Sequence, residues 1–153
     1  MVCGDGYLLE DKGCGLIASF NVARFFGRNV DLPSIVYWYE QNSGLILGGI
    51  LGLNPDKVKE FLNIMNLDFE YFEDINKLEE SRLNVGGVYI VCQWNNKDDL
   101  GEGAHFYMTE ANVMTIDEYN NGERLPNYVK PSTFIEALRG GLLICAYRVF
   151  EKS

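Results

Sequence analysis

The stretch DKGCGLIASFNVARFFG, residues 11–27, decides how the N-terminal half of the chain folds. From Leu16 onward, apolar side chains occupy most of a helical wheel, and a helix that is apolar nearly all round is buried. Gly27 is the residue type that most often ends a helix in the left-handed conformation. We therefore predict a buried helix from Cys14 to about Phe26.

Cys14 lies where this helix begins, between Gly13 and Gly15. Free backbone N–H groups and the helix dipole at such a position favour a thiolate over a thiol. The two glycines leave room for a substrate to approach the sulfur. Two interpretations remain open at this point: a nucleophile at a helix start, or a small buried apolar residue, as most cysteines are.

Length and composition indicate one globular domain over residues 1–153. Apolar residues make up 47% of the chain, including 9 Phe, 9 Tyr and 2 Trp, which is enough to build a core without disulfides. The composition is therefore not that of a disordered protein.

The charge balance argues against two classes of partner. Lys and Arg number 13 against 22 Asp and Glu, a net charge of -9. A chain this acidic repels nucleic-acid phosphates and anionic lipid, so we expect neither nucleic-acid nor membrane binding. The N-terminus lacks a basic segment followed by an apolar one, and no stretch reaches 18 apolar residues. We expect a cytoplasmic protein.

The cysteines predict neither a metal site nor a cofactor. Cys3, Cys14, Cys92 and Cys145 form no CxxC pair, and the chain has a single histidine. A zinc site needs four such ligands with short spacings, so we expect no metal and no cofactor. Scattered thiols in a domain of this size are typical of a reducing compartment.

Two further helices follow the first. Asp31 or Leu32 precedes Pro33, a residue suited to a first helical turn, and Asn54-Pro55 repeats that arrangement. The connection between them, residues 45–53, is apolar and glycine-rich. It lacks the Lys-Ser/Thr pair of a phosphate loop, so we interpret it as a packing segment.

After residue 66 the pattern changes to strands. Period-2 alternation and runs of β-branched and aromatic residues predict strands at 68–72, 86–94, 104–110, 112–120 and 141–150, with helices at 74–82 and 131–141. Helices first and an antiparallel sheet afterwards is the α+β arrangement. We predict N-terminal helices, with the Cys14 helix buried, packed on a C-terminal antiparallel sheet.

His105 is the only histidine, so any cysteine–histidine mechanism must use it. It begins a predicted strand, and Asp117 lies near the end of the next one. In a hairpin of these strands we expect Asp117 to return close to His105 and to accept the imidazole N–H, the orienting role in a triad. Asn120 is the alternative, because the turn register cannot be assigned to one residue.

These segments together resemble the papain-like cysteine peptidases, in particular the small branch related to the bacteriocin-leader (double-glycine) peptidases. Residues 11–27 are similar to the nucleophile helix, with CG, small apolar residues, Asn21 near the middle and an aromatic-glycine end. Residues 86–94 resemble the strand before the histidine loop. Residues 104–119 resemble the histidine strand, a tight hairpin and an Asp-x-Tyr end.

The resemblance implies a papain-like fold and a peptidase or amidase that acts on a peptide or protein substrate. Cys14 would attack a carbonyl, His105 would act as base and then as acid, and Asp117 would orient the imidazole. The family usually carries a Gln about six residues before the cysteine, for the oxyanion hole, and this chain has Leu8 there. The backbone N–H of Cys14, or Lys12, is the alternative donor.

Leu8 keeps other functions open. A papain-like fold that binds without catalysis is the main alternative, and a deamidase or acyltransferase would use the same acyl-thioester chemistry. An acidic assembly protein is a third possibility. Acidic residues around the expected cleft either form a solvated rim or favour the binding of a cationic substrate. These residues are Glu10, Asp11, Asp98, Asp99 and Glu102.

Overall fold

The N-terminal helices pack on one face of an antiparallel sheet formed mainly by the C-terminal half of the chain. The computed structural model describes residues 2–3, 7–8, 14–42, 55–102, 104–120, 123–124 and 131–152. The helices are α1 Cys14–Phe25, α2 Leu32–Gln41, α3 Pro55–Ile64, α4 Ile75–Asn84 and α5 Phe134–Ala137. The strands are β1 Val2–Cys3, β2 Tyr7–Leu8, β3 Leu67–Phe72, β4 Gly87–Trp94, β5 Ala104–Ala111, β6 Ile116–Asn120, β7 Glu123–Arg124 and β8 Leu142–Glu151. This is the α+β class predicted from the sequence.

Helix α1 is the buried helix that residues 11–27 predict. Its side chains Leu16, Ala18, Val22 and Ala23 are each at most 1% exposed. Gly27 follows with φ +73°, the left-handed conformation that ends a helix. Burial of these side chains fixes α1 between the sheet and the other helices, whereas Arg24 and Phe25 at its end are exposed.

Helix α2 begins as its sequence indicates. The Asp31 side chain accepts a hydrogen bond from the Ser34 backbone N–H at 2.8 Å, and Pro33 lies in the first turn. Its buried Tyr39 stacks on Phe61 of α3 with ring centroids 5.5 Å apart. The two helices therefore share a core with α1.

The main sheet is six-stranded and antiparallel, in the order β3-β8-β4-β5-β6-β7. Strand β4 lies inside the sheet, and six consecutive side chains from Val88 to Gln93 are buried. Coverage on both faces explains the uninterrupted apolar run in its sequence. Cys92 and Cys145 are directly opposite each other in β4 and β8, and both are buried and form no disulfide.

The two faces of the sheet build separate parts of the core. On the face covered by α1, α2 and α3, called the α1 face, the central strands contribute Val88, Ile90, Cys92, Phe106 and Met108. On the opposite face, called the α5 face, they contribute Tyr89, Val91, Tyr107 and Ala111, which pack against Leu78 of α4 and Phe134 of α5. Alternation along β5 thus decides which helix each of its side chains meets.

Two short hairpin elements are absent from the sequence prediction. Strands β1 and β2 pair with each other, and β7 pairs with β6 inside the segment predicted as a loop. Each of these strands has only two residues, which is too short to carry a period-2 signal. The predicted packing segment 45–53 lies outside the described residues.

The turn between β5 and β6 is longer than the sequence suggests. The Asn112 side-chain oxygen accepts hydrogen bonds from the backbone N–H groups of Met114 and Thr115, at 2.8 and 3.0 Å. The Asn112 N–H in turn donates to the Thr115 carbonyl at 2.9 Å. Strand β6 therefore starts at Ile116 and not at residue 112, which sets the register of the hairpin.

We expect Gly86→Ala to destabilise the protein more than Gly27→Ala. Both glycines have φ near +70°, but a Cβ at Gly86 would lie 2.7 Å from the Ala111 carbonyl oxygen, whereas the space at Gly27 is open. The left-handed conformation alone costs about 1–2 kcal/mol, and the backbone clash adds about 1–3 kcal/mol. Urea unfolding of the two variants measures the difference, and equal losses would contradict it.

No helix among the described residues has both the length and the apolar character needed to cross a bilayer.

Candidate functional site

Cys14 is the first residue of α1. The backbone N–H groups of a first helical turn have no partner inside the helix and carry the positive end of its dipole. Gly15 is buried, and its carbonyl accepts a hydrogen bond from the Ser19 hydroxyl at 2.8 Å. Gly13, on the other side of Cys14, lies outside the described residues.

The start of α1 and the start of β5 lie at the same end of the molecule. Helix α1 packs mainly on β5. Its last residue, Phe25, lines a cavity together with Ala111 at the end of β5, and Asn21 lines another with Met108. The helix therefore runs in the same direction as the strand. At about 1.5 Å per helical and 3.4 Å per strand residue, Cys14 comes level with the beginning of β5.

His105 is the second residue of β5, directly opposite Gln93 in β4. Its imidazole stacks on the Tyr107 ring, with centroids 5.2 Å apart and an interplanar angle of 28°. Tyr107 belongs to the α5 face, so the imidazole lies on that face, with the sheet between it and α1. Burial, and next the charge of Arg139, lower the pKa of His105 below its ordinary value.

A cluster of hydrogen-bonded polar side chains lies around Tyr107 on the α5 face. The Tyr107 hydroxyl donates to Gln93 Oε1 at 2.8 Å, and Gln93 Nε2 donates to the Leu138 carbonyl at 2.8 Å. Arg139 contacts both carboxylate oxygens of the buried Glu118, at 2.8 and 2.9 Å. Burial raises the pKa of Glu118, and Arg139 opposes that rise.

The sequence did not lead us to predict this cluster of polar side chains. Gln93 follows an apolar run in β4, and Glu118 lies two residues after the buried Ile116, on the same face of β6. A polar side chain on the buried face of a strand is a signal that alternation can reveal. Arg139 gives no such signal, because it follows α5 in a left-handed conformation, with φ +47°.

Asp117 lies opposite Glu110, five residues along β5 from His105. That separation is about 17 Å at the rise of an antiparallel strand. Asp117 lines a cavity on the α1 face together with Phe25 and Phe26. We expected from the sequence that Asp117 would return close to His105. The observed register does not bring the two residues together, because the turn extends through residue 115.

The same register brings Asn120 nearer to His105. Met108 is opposite Tyr119, so continuing the ladder by one residue puts the Asn120 backbone level with Tyr107. Residues two apart across neighbouring strands are diagonal neighbours, about 7–8 Å apart. Of the two orienting candidates, Asn120 has the closer backbone position.

The remaining residues named from the sequence are described only in part. Asp98 and Asp99 are exposed, and the Asp99 side chain accepts a hydrogen bond from the Gly101 N–H at 3.0 Å. Leu8, at the position of the expected Gln, pairs with Val2 in the β1–β2 hairpin. The segment with Glu10, Asp11 and Lys12 lies outside the described residues. Across the described segments, no cluster of three or more metal-ligating side chains occurs.

Comparison with solved structures identifies a similar fold. The chain superposes on the peptidase domain of Streptococcus ComA, a bifunctional ABC transporter involved in a quorum-sensing pathway, with a TM-score of 0.63. The match covers 99% of this chain and 98% of that one, at 14% sequence identity. The chain therefore has the fold of a papain-like peptidase domain. No protein-family model and no curated protein matches the sequence.

Proposed function

We propose that the chain, acting as one domain over residues 1–153, is a cysteine hydrolase that cleaves a peptide or amide bond. The observation that carries this proposal is the position of Cys14 as the first residue of α1, in a fold shared with a peptidase domain. A thiol at that position is activated by the helix dipole and by the N–H groups of the first turn.

The chemistry would run in two steps. The Cys14 thiolate attacks the carbonyl carbon, and the tetrahedral oxyanion accepts a hydrogen bond from the Cys14 backbone N–H. Protonated His105 gives its proton to the leaving amine as the C–N bond breaks, which leaves an acyl thioester. Water then attacks the thioester, His105 takes the proton of that water, and the thiolate is released with a carboxylic acid.

His105 has to face α1 for this role. In the structure its imidazole stacks on Tyr107 on the α5 face. Only Ala104 precedes it in β5, and Ala104 is exposed. We propose that the first two residues of β5 leave the ladder when substrate binds and turn the imidazole toward the start of α1. A shift of one residue in pairing is enough to exchange the faces of a strand.

The orienting residue is proposed from the register. The backbone of Asn120 lies nearer to His105 than that of Asp117, which supports a Cys14, His105, Asn120 set over the Asp117 set expected from the sequence. Because Asn120 is level with Tyr107, this set requires the last residue of β6 to turn together with the start of β5. An amide oxygen can hold an imidazole N–H as a carboxylate does, although it adds less electrostatic stabilisation to the imidazolium.

The proposed substrate is a peptide or protein. The resemblance to double-glycine peptidases makes a Gly-Gly pair before the scissile bond the first sequence to test. A deamidase or an acyltransferase would share the thioester and would be recognised by ammonia release or by transfer to an added amine. We propose a cytosolic location, because the buried Cys92 and Cys145 are not joined in a disulfide, as is usual in a reducing compartment.

The test is the pH dependence of Cys14 alkylation. In a Cys3→Ser background, we expect iodoacetamide to modify Cys14 with an apparent pKa well below the ordinary thiol value of about 8.5. Mass spectrometry of the digested protein follows the modified peptide. A Cys14 that titrates at the ordinary value, or that does not react in the folded protein, would contradict the hydrolase and favour a binding module.

A further inference from the structure

A cavity of about 220 Å³ lies beside the second half of α1, away from Cys14. The residues that line it are Asn21, Arg24, Phe25, Met108 and Tyr119. The first three come from one face of α1, and the other two come from β5 and β6, where they are directly opposite each other. The cavity therefore occupies the seam between the helix and the edge of the sheet.

Asn21 contributes a buried donor that has no partner among the described residues. The residue is 7% exposed, and its side-chain Nδ2 is fully buried without a hydrogen bond to any of the described residues. A polar group that loses water without gaining a partner destabilises a fold. Asn21 also interrupts an otherwise apolar stretch of α1 that leucine or alanine would fill more favourably. An unused amide donor at a cavity wall points to a ligand that accepts its hydrogen bond.

Arg24 adds a positive charge one turn further along the same face. Its guanidinium lies over the Phe20 ring, 5.4 Å from the centroid, and no described carboxylate is within ion-pair distance. The Tyr119 hydroxyl donates its proton to Glu110, so that hydroxyl proton is already used. The polar groups that remain for a ligand are therefore the donors of Asn21 and Arg24.

The rest of the wall is apolar. Met108 is buried, and Phe25 is about half exposed, so the cavity has a closed apolar floor and an open side. A ligand that satisfies both parts carries an anionic oxygen acceptor on a small apolar body. Guanidinium and amide donors together fit a carboxylate, which can accept from both at once.

We propose that this cavity binds a carboxylate attached to a small apolar group, with Asn21 and Arg24 on the carboxylate and Phe25 and Met108 on the apolar body. Asn21 lies two helical turns after Cys14, about 10 Å along α1. The site is therefore separate from the reacting thiol, and the proposal does not depend on the proposed hydrolase activity. The carboxylate has two possible sources, the C-terminus of a peptide or a free organic acid.

The probe is N-acetyl-leucine, and its neutral control is N-acetyl-leucinamide. We expect the acid to shift the Asn21 side-chain amide signals of the 15N-labelled chain saturably, and the amide to bind at least about tenfold more weakly, because a charge-assisted hydrogen bond is lost. Equal binding of acid and amide, or no saturable shift with the acid, would overturn the proposal.

Two variants assign the donors. Arg24→Gln, an exposed substitution, should weaken the acid about tenfold, whereas Lys77→Gln, an equal charge change on α4, should leave its affinity unchanged. Asn21→Leu should raise the unfolding midpoint and abolish saturable binding. Because this variant lacks the Asn21 side-chain signals, binding to it is followed on the backbone amide signals of Met108 and Tyr119, which line the same cavity. If both cavity variants bind N-acetyl-leucine as the wild type does, the site is not where we place it.

A peptide arm separates the two sources of carboxylate. Ala-Ala-Leu with a free C-terminus and its C-terminal amide are titrated into Cys14→Ala, so that no hydrolysis consumes them. Tighter binding of the free-acid peptide than of N-acetyl-leucine supports a peptide terminus as the ligand. Equal binding of the two acids supports a free organic acid, and the result is independent of whether Cys14 is catalytic.

Discussion

Cys14→Ala is expected to lower peptide hydrolysis by at least about a thousand-fold. The nucleophile is the group that forms the acyl intermediate, and removing such a group elsewhere costs about a thousand- to a million-fold in rate. Cleavage of quenched fluorescent peptides, with the residue pair before the scissile bond varied and Gly-Gly included, measures the effect. Mass spectrometry of the products then identifies the bond that is cut.

Cys3→Ser is the matched control for this loss. It removes a thiol from the short strand β1 and leaves the start of α1 intact. We expect its activity to be within about twofold of the wild type. Hydrolysis that survives in Cys14→Ala would remove Cys14 from the mechanism, whatever the fold.

His105→Gln is expected to lower kcat/KM by at least about a hundred-fold, which is the usual contribution of a general acid–base group. It should also remove the alkaline limb of the pH–rate profile, because the proposed cleavage uses the protonated imidazole. Because burial and the charge of Arg139 lower the pKa of His105, the wild-type limb should fall below the ordinary histidine value of about 6.5. Rates measured between about pH 4 and pH 9 define that limb.

The free energy of unfolding should also depend on pH through His105, and it should decrease as the pH falls. A histidine whose pKa is lowered by folding binds its proton more weakly in the folded state than in the unfolded one. As the pH falls through the unfolded value near 6.5, unfolding takes up a proton and the free energy of unfolding decreases. Urea midpoints at pH 8 and pH 5 should differ less in His105→Gln than in the wild type.

Asp117→Ala and Asn120→Ala are the paired controls for the orienting role. The register predicts a loss of hydrolysis in Asn120→Ala and a smaller change in Asp117→Ala, which lies opposite Glu110 at the far end of the hairpin. A greater loss in Asp117→Ala would favour the triad expected from the sequence. Full activity in His105→Gln would contradict an acid–base role for the imidazole.

The fold was predictable where a long segment has one dominant pattern. Helix α1 is apolar around its circumference and ends before Gly27, and β4 is a continuous β-branched and aromatic run between two loops. Such signals come from burial, which acts on every residue of the segment. They were sufficient for α1, for β4 and for the α+β arrangement. They were not sufficient for the helix predicted at 131–141, which is only Phe134–Ala137 in the structure.

The candidate site depends on single residues and was less predictable. Whether His105 faces α1 or α5 is fixed by pairing with Gln93, and the position of Asp117 by four turn residues after Ala111. One residue more or fewer in the β4–β5 pairing would move His105 to the other face of the sheet, and one more or fewer in the turn would give Asp117 a different partner. No local sequence pattern indicates which register forms. The pair of Glu118 and Arg139 joins residues 21 apart in sequence, which a local pattern cannot connect.

The thiols of Cys92 and Cys145, which lie opposite each other, are internal probes for the opening of the sheet. They are 1% exposed in two neighbouring central strands, so a reagent reaches them only when those strands separate. The rate of their modification at increasing urea would report the free energy of that opening, much as hydrogen exchange does. If Cys14 is the reactive thiol we propose, one labelling experiment would report both its reactivity and the transient separation of the two central strands.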